Sequence, residues 1–134
     1  MIAHETRVRA RYAETDQMGV VYYANYFVWM EVGRNELCRA NGMRYRDMEA
    51  ADGVRLAVAE ATCRYSFPAH YDEEVTIKAW IAEANSRMVR FGYEISSAET
   101  GRKLVTGETK HIFCNREMKP AKLPVKYYPL FGIK

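Results

Sequence analysis

Residues 14–42 read ETDQMGVVYYANYFVWMEVGRNELCRANG, and the fold turns on this stretch because its apolar period changes partway through. From Ala24 to Asn41, the residues Tyr26, Met30, Gly33, Leu37 and Ala40 recur at three- and four-residue steps, while Glu31, Arg34, Glu36 and Arg39 fall elsewhere. That spacing predicts a helix with one buried stripe, stopped by Asn41-Gly42. Phe27, Val28, Trp29 and Val32 make its first half apolar nearly all the way round, so the helix is expected to be enclosed by other elements. Gly33 on the central stripe costs about 1 kcal/mol relative to alanine, which a close approach to another backbone would offset.

Ahead of this helix, Glu5 to Tyr12 alternates arginines with smaller or apolar groups, the period of a strand. Behind it, a polar loop is expected around Arg46 to Gly53. Four strands follow, over Val54–Ser66, Glu74–Glu83, Arg87–Ser97 and Lys103–Cys114, with Phe67-Pro68 breaking the first and Glu99-Thr100-Gly101 turning the third. Short links favour an antiparallel meander, and a tail from Met118 with Pro120, Pro124 and Pro129 reads as extended coil against the sheet edge. The class is α+β, in one domain over residues 1–134.

Composition narrows the function. A chain that is 49% hydrophobic and 28% charged is a globular mixture. Its net charge of +3 is spread without a basic run, so anionic ligands are compatible and a nucleic-acid partner is not expected. No segment approaches the roughly 20 apolar residues of a bilayer span, and the N-terminus lacks a secretory signal, so no membrane insertion and a cytoplasmic location are expected. Cys38, Cys63 and Cys114 are widely spaced and odd in number, which suits reduced thiols. His4, His70 and His111 have no metal-ligand spacing; no metal is expected.

Chemistry concentrates at the start of the quoted stretch. Asp16, followed by a Met18-Gly19 turn and then the helix, puts a carboxylate beside a helix N-terminus, where free N–H groups and the helix dipole can hold a developing oxyanion. The bland alternative is an ordinary turn or capping aspartate.

The order of elements and the motif Thr15–Tyr26, TDQMGVVYYANY, with Trp29-Met30-Glu31 following, resemble the hotdog-fold acyl-CoA thioesterases of the 4-hydroxybenzoyl-CoA thioesterase type. Cys63-Arg64-Tyr65, Pro68-Ala69, Tyr71-Asp72 and Ser86-Arg87 add to the likeness, which runs from Thr6 through Pro124. The resemblance implies a curved antiparallel sheet wrapped around one long helix, pairing of two subunits into a homodimer or homotetramer, and active sites between subunits. It implies hydrolysis of acyl-CoA, with acyl carrier protein as another possible carrier, and no cofactor beyond the CoA of the substrate. It assigns Asp16 as base or nucleophile and the backbone N–H of Tyr23 as the donor that polarises the thioester carbonyl. Glu31 falls in a second-layer or acyl-pocket position and is a rival base, because other hotdog thioesterases carry their carboxylate on the helix. Asn85, Ser86 and Arg87, with Arg64, fall where CoA phosphates would be met, chemistry that suits arginine. Many relatives of the bacterial short-chain type have a histidine where this chain has Tyr23, so only the N–H carries over. A non-catalytic acyl-CoA-binding module and a hotdog dehydratase or hydratase are the alternatives. The retained Asp16 counts against the first, and the lack of a histidine in residues 14–26 against the second.

Overall fold

The computed structural model describes residues 2–134 and has five strands and three helices. Strand β1 (Ala3–Arg9) leads through a 3-10 turn (Tyr12–Glu14) and a loop into α1 (Asn25–Ala40). A second helix, α2 (Tyr45–Asp52), precedes β2 (Arg55–Tyr65), β3 (Glu74–Ala84), β4 (Met88–Ser97) and β5 (Lys103–Cys114), and a short α3 (Tyr128–Phe131) closes the chain.

All strand pairs are antiparallel, in the order β1-β3-β4-β5-β2. The expected meander therefore holds for β3, β4 and β5 alone. β1 joins the sheet beside β3 and β2 joins it beside β5, because α1 separates them in the chain and carries the second across the sheet. Register shifts at Val58/Glu60, Ile81/Glu83 and Ile95/Ser96 add local bends and twist.

α1 lies against β1 and β3. Tyr26, Trp29, Met30, Gly33, Leu37 and Cys38 are its buried residues, in one core with Val75, Ile77, Phe91, Tyr93 and Ile95 of the sheet. Enclosure is one-sided within this chain: Val28 is 48% exposed and Glu31 is exposed. A β-carbon on Gly33 would sit 2.7 Å from Cγ2 of Ile77 and 3.5 Å from Cβ of Ala79. The glycine thus admits β3 side chains, where another backbone was expected.

Three further expectations need correction. The first strand stops at Arg9, because the Glu14 carboxylate accepts the Arg11 N–H at 2.8 Å and folds the next residues into a turn. The polar loop over Arg46–Gly53 is helix α2, anchored by fully buried Met48 and closed by left-handed Gly53; one buried residue in two turns leaves no periodicity to read. The tail does meet the sheet, through a Cys114–Pro120 bridge, but then forms a 3-10 turn and α3. Pro129 suits the first turn of that helix, and Phe131 buries against Phe113 with ring centroids 5.9 Å apart.

Candidate active site

The loop between β1 and α1 is held by main-chain bonds at both ends. Asp16 N–H donates to Val20 O (2.9 Å) and Gly19 N–H to Asp16 O (3.0 Å), making a tight turn with Gly19 at φ +79°, a conformation that favours glycine. Val21 N–H donates to Ala69 O at 2.8 Å, and Val20 bridges to His70, which pins the turn to the segment before β3. Within the turn, the Asp16 carboxylate accepts the Met18 N–H through Oδ1 at 2.8 Å, while Oδ2 has no protein partner among the described residues.

The start of α1 is open. Its N-cap, Ala24, offers no side-chain cap, and the Tyr23 N–H has no partner among the described residues. Asn25, which could have capped the helix, reaches back to Glu14 O (2.8 Å). Uncapped helix-start donors are what an anion or developing oxyanion requires. Asp16 and Tyr23 line one cavity of about 290 Å³, whose walls include Met18, Tyr26, Tyr65 and Phe67. The structure therefore brings the carboxylate and the open helix start to one largely apolar space.

Two residues that sequence reasoning left out of the site support it. Glu14 is buried, accepts the Arg11 N–H through Oε1 and the Trp29 indole N–H through Oε2 (2.9 Å), and so ties the loop to α1. Its carbonyl also takes the Tyr22 N–H at 2.8 Å. Tyr65, on β2, donates its hydroxyl to Tyr23 O at 3.0 Å. Burial, followed by the adjacent Cys63, pushes that phenol up to about 12, so it stays a donor near neutrality. The Glu14 signal was present, a carboxylate two residues before Asp16, but its partner Trp29 is a turn inside the helix. For Tyr65, 42 residues from Tyr23, no local signal exists.

The other predicted residues lie elsewhere in the chain. Glu31 lines a different cavity, further along α1. Arg64 is exposed on β2, and Asn85–Arg87 form the turn between β3 and β4, where Asn85 Oδ1 accepts the Arg87 N–H at 2.8 Å. All three cysteines are free; burial pushes Cys38 up to about 11 and raises half-buried Cys63. Neither thiol is poised as a nucleophile. Among the described residues, no helix is long and apolar enough to cross a membrane.

Comparison with known proteins identifies the family. A sequence model of the thioesterase-like superfamily matches residues 10–127. YneP of Bacillus subtilis, named as a candidate acyl-CoA thioesterase, is 39% identical over 117 residues, 87% of this chain and 83% of that protein. YbgC of Escherichia coli O157:H7, named an acyl-CoA thioester hydrolase, is 30% identical over 119 residues, 87% of each chain. The DHNA-CoA thioesterase of Staphylococcus aureus superposes with a TM-score of 0.90 at 35% identity, covering 98% of this chain and 87% of that one. From its motif, its strand order and these likenesses together, the chain belongs to the thioesterase-like superfamily and has the hotdog fold of the acyl-CoA thioesterases.

Proposed function

We propose that this chain hydrolyses acyl-CoA thioesters at the cavity shared by Asp16 and the start of α1. The observation that carries the reading is that Asp16 and Tyr23 line one largely apolar cavity, and that among the described residues one Asp16 carboxylate oxygen and the Tyr23 N–H have no partner. A thioester needs little more: its carbonyl is electrophilic and thiolate leaves readily, so a base or nucleophile plus charge stabilisation suffices. Asp16 either attacks the carbonyl carbon directly, giving an anhydride that water opens, or removes a proton from an attacking water. In both routes the Tyr23 N–H meets the carbonyl oxygen as negative charge develops there, and CoA leaves as the thiolate.

Partner copies complete the site in this proposal. The free edge of β2, with Val58 at 58% exposure and Tyr65 at 46%, is suited to pairing with a second chain in a homodimer or homotetramer. Such pairing would let Glu31, Arg64 and Asn85–Arg87 of one chain serve the acyl and CoA ends of substrate held by the other. The mixed surface charge and the free thiols suit a cytoplasmic enzyme.

The test is CoA release by wild type and Asp16→Asn across acyl chain lengths. Asparagine keeps an oxygen for the Met18 N–H, so the fold should persist while kcat/KM falls by about 10³-fold or more, roughly 4 kcal/mol of transition-state stabilisation. Equal turnover by both proteins would exclude Asp16, and no release by wild type would leave the binding-module alternative.

A further inference from the structure

A second cavity, of about 420 Å³, lies between the second half of α1, the start of α2, and strands β2 and β5. Arg34 stands about 14 Å along the helix from Asn25, so this space is separate from the Asp16 cavity of the same chain. Its lining is polar and basic, with Arg34, Arg39, Arg44 and Arg46 set against Glu31 and Glu49. Arg39 pairs with Glu36, and Arg44 with Asp47 at 2.9 Å. Arg34 and Arg46 have no carboxylate within ion-pair distance among the described residues, and Arg34 is half-buried.

A chain of side chains runs below the cavity from Arg34 to His111. The Arg34 guanidinium reaches Tyr93 OH at 3.5 Å, Tyr93 OH meets Thr109 Oγ1 at 2.6 Å, and Thr109 Oγ1 meets His111 Nε2 at 2.9 Å. Arginine can only donate, and the relay that uses every hydroxyl hydrogen has Tyr93 donating to Thr109 and Thr109 donating to Nε2. The neutral imidazole then carries its hydrogen on Nδ1. His111 is 1% exposed, and that Nδ1 has no partner among the described residues; the adjoining Leu56 backbone does not meet hydrogen-bond geometry with it. An orphaned buried donor costs about 1–3 kcal/mol, a cost that a ligand in the cavity would relieve.

We propose that this cavity binds a small anion, a carboxylate or phosphate group, gripped by the Arg34 fork and by the Nδ1–H of His111, with Arg46 adding charge at the mouth. Burial and then the Arg34 charge push His111 down to about 4, so near neutrality the imidazole donates as a neutral group and Arg34 supplies the charge. The group bound is either part of a substrate, such as a carboxylate ending the acyl chain, or a free anion.

Imidazole ¹H–¹⁵N NMR at pH 7.5, titrated with inorganic phosphate or acetate at constant ionic strength, tests this. The His111 signals should shift saturably, those of His4 and His70 should not, and Arg34→Gln should weaken binding at least tenfold. Arg46→Gln, at an exposed position, should weaken it about threefold and keeps the test decisive if Arg34→Gln fails to fold. A shift matched by chloride, no saturable shift, or unchanged binding in a folded Arg34→Gln protein overturns the proposal. Given anion binding, turnover of succinyl-CoA and butyryl-CoA identifies the source. A tenfold rise in KM for succinyl-CoA alone in Arg34→Gln assigns the site to the acyl terminus, and equal KM values assign it to a free anion. The NMR result stands whether or not the protein hydrolyses thioesters.

Discussion

Replacing Glu14 tests whether the Asp16 turn depends on its tie to α1. Glu14 is 5% exposed and its carboxylate satisfies the Trp29 indole N–H at 2.9 Å and the Arg11 N–H at 2.8 Å. In Glu14→Leu the buried indole donor loses its only partner among the described residues, at about 1–3 kcal/mol, while the Arg11 N–H lies near solvent and loses about 1 kcal/mol. The sum, about 2–4 kcal/mol, corresponds to a fall in Tm of roughly 10 °C for a domain of this size. Activity should fall further than stability alone explains, because a shift of about 1 Å in the turn carrying Asp16 is enough to cost about 10²-fold in kcat. Urea unfolding gives the first quantity and CoA release, measured well below Tm, gives the second. Trp29→Phe removes the same hydrogen bond from the other side, so the double variant should fall short of additivity by about 1 kcal/mol or more. If Glu14→Leu keeps wild-type kcat, or if the two substitutions add fully, the tie does not hold the turn.

Other outcomes follow from single contacts. Tyr65→Phe deletes the hydroxyl that bonds Tyr23 O and should lower kcat about 3- to 10-fold with Tm nearly unchanged, as steady-state kinetics would read. Gly33→Ala puts a methyl 2.7 Å from Cγ2 of Ile77; overpacking outweighs the helix-propensity gain, so urea unfolding should show a net loss of about 1 kcal/mol, and a gain would refute the close approach. His111 has its folded pKa lowered to about 4 from 6.5, so its contribution to stability is complete above pH 6.5 and is lost as pH falls toward 4. That loss amounts to about 3 kcal/mol at most, visible as the difference between the stability curves of wild type and His111→Gln. Cys38, pushed up to about 11 by burial, should react with a disulfide reagent far more slowly in native than in unfolded protein.

Helix α1, the bounds of β2 to β5 and the Asp16 motif were legible because each is written in neighbouring residues. α1 begins at Asn25 and ends at Ala40, within a residue of what its apolar spacing predicts, and β5 runs from Lys103 to Cys114 as its alternation does. α2 was hidden because eight residues with one buried methionine carry no period, and the position of β2 was hidden because pairing partners are chosen across the sheet. Glu14 illustrates the limit at the site: its place in the chain was plain, but not that it would be buried against an indole one helical turn into α1.

By itself, then, the sequence determined the long helix α1, the strands β2 to β5 and which carboxylate stands before that helix, since period, turn residues and motif are local properties of the chain. Only the tertiary structure decided that the helix start stays uncapped, that Tyr65 crosses from β2 to Tyr23, and that four arginines and a buried histidine gather around one cavity. Those features depend on contacts between residues tens of positions apart, where burial and strand register, and no spacing along the chain, set which groups meet.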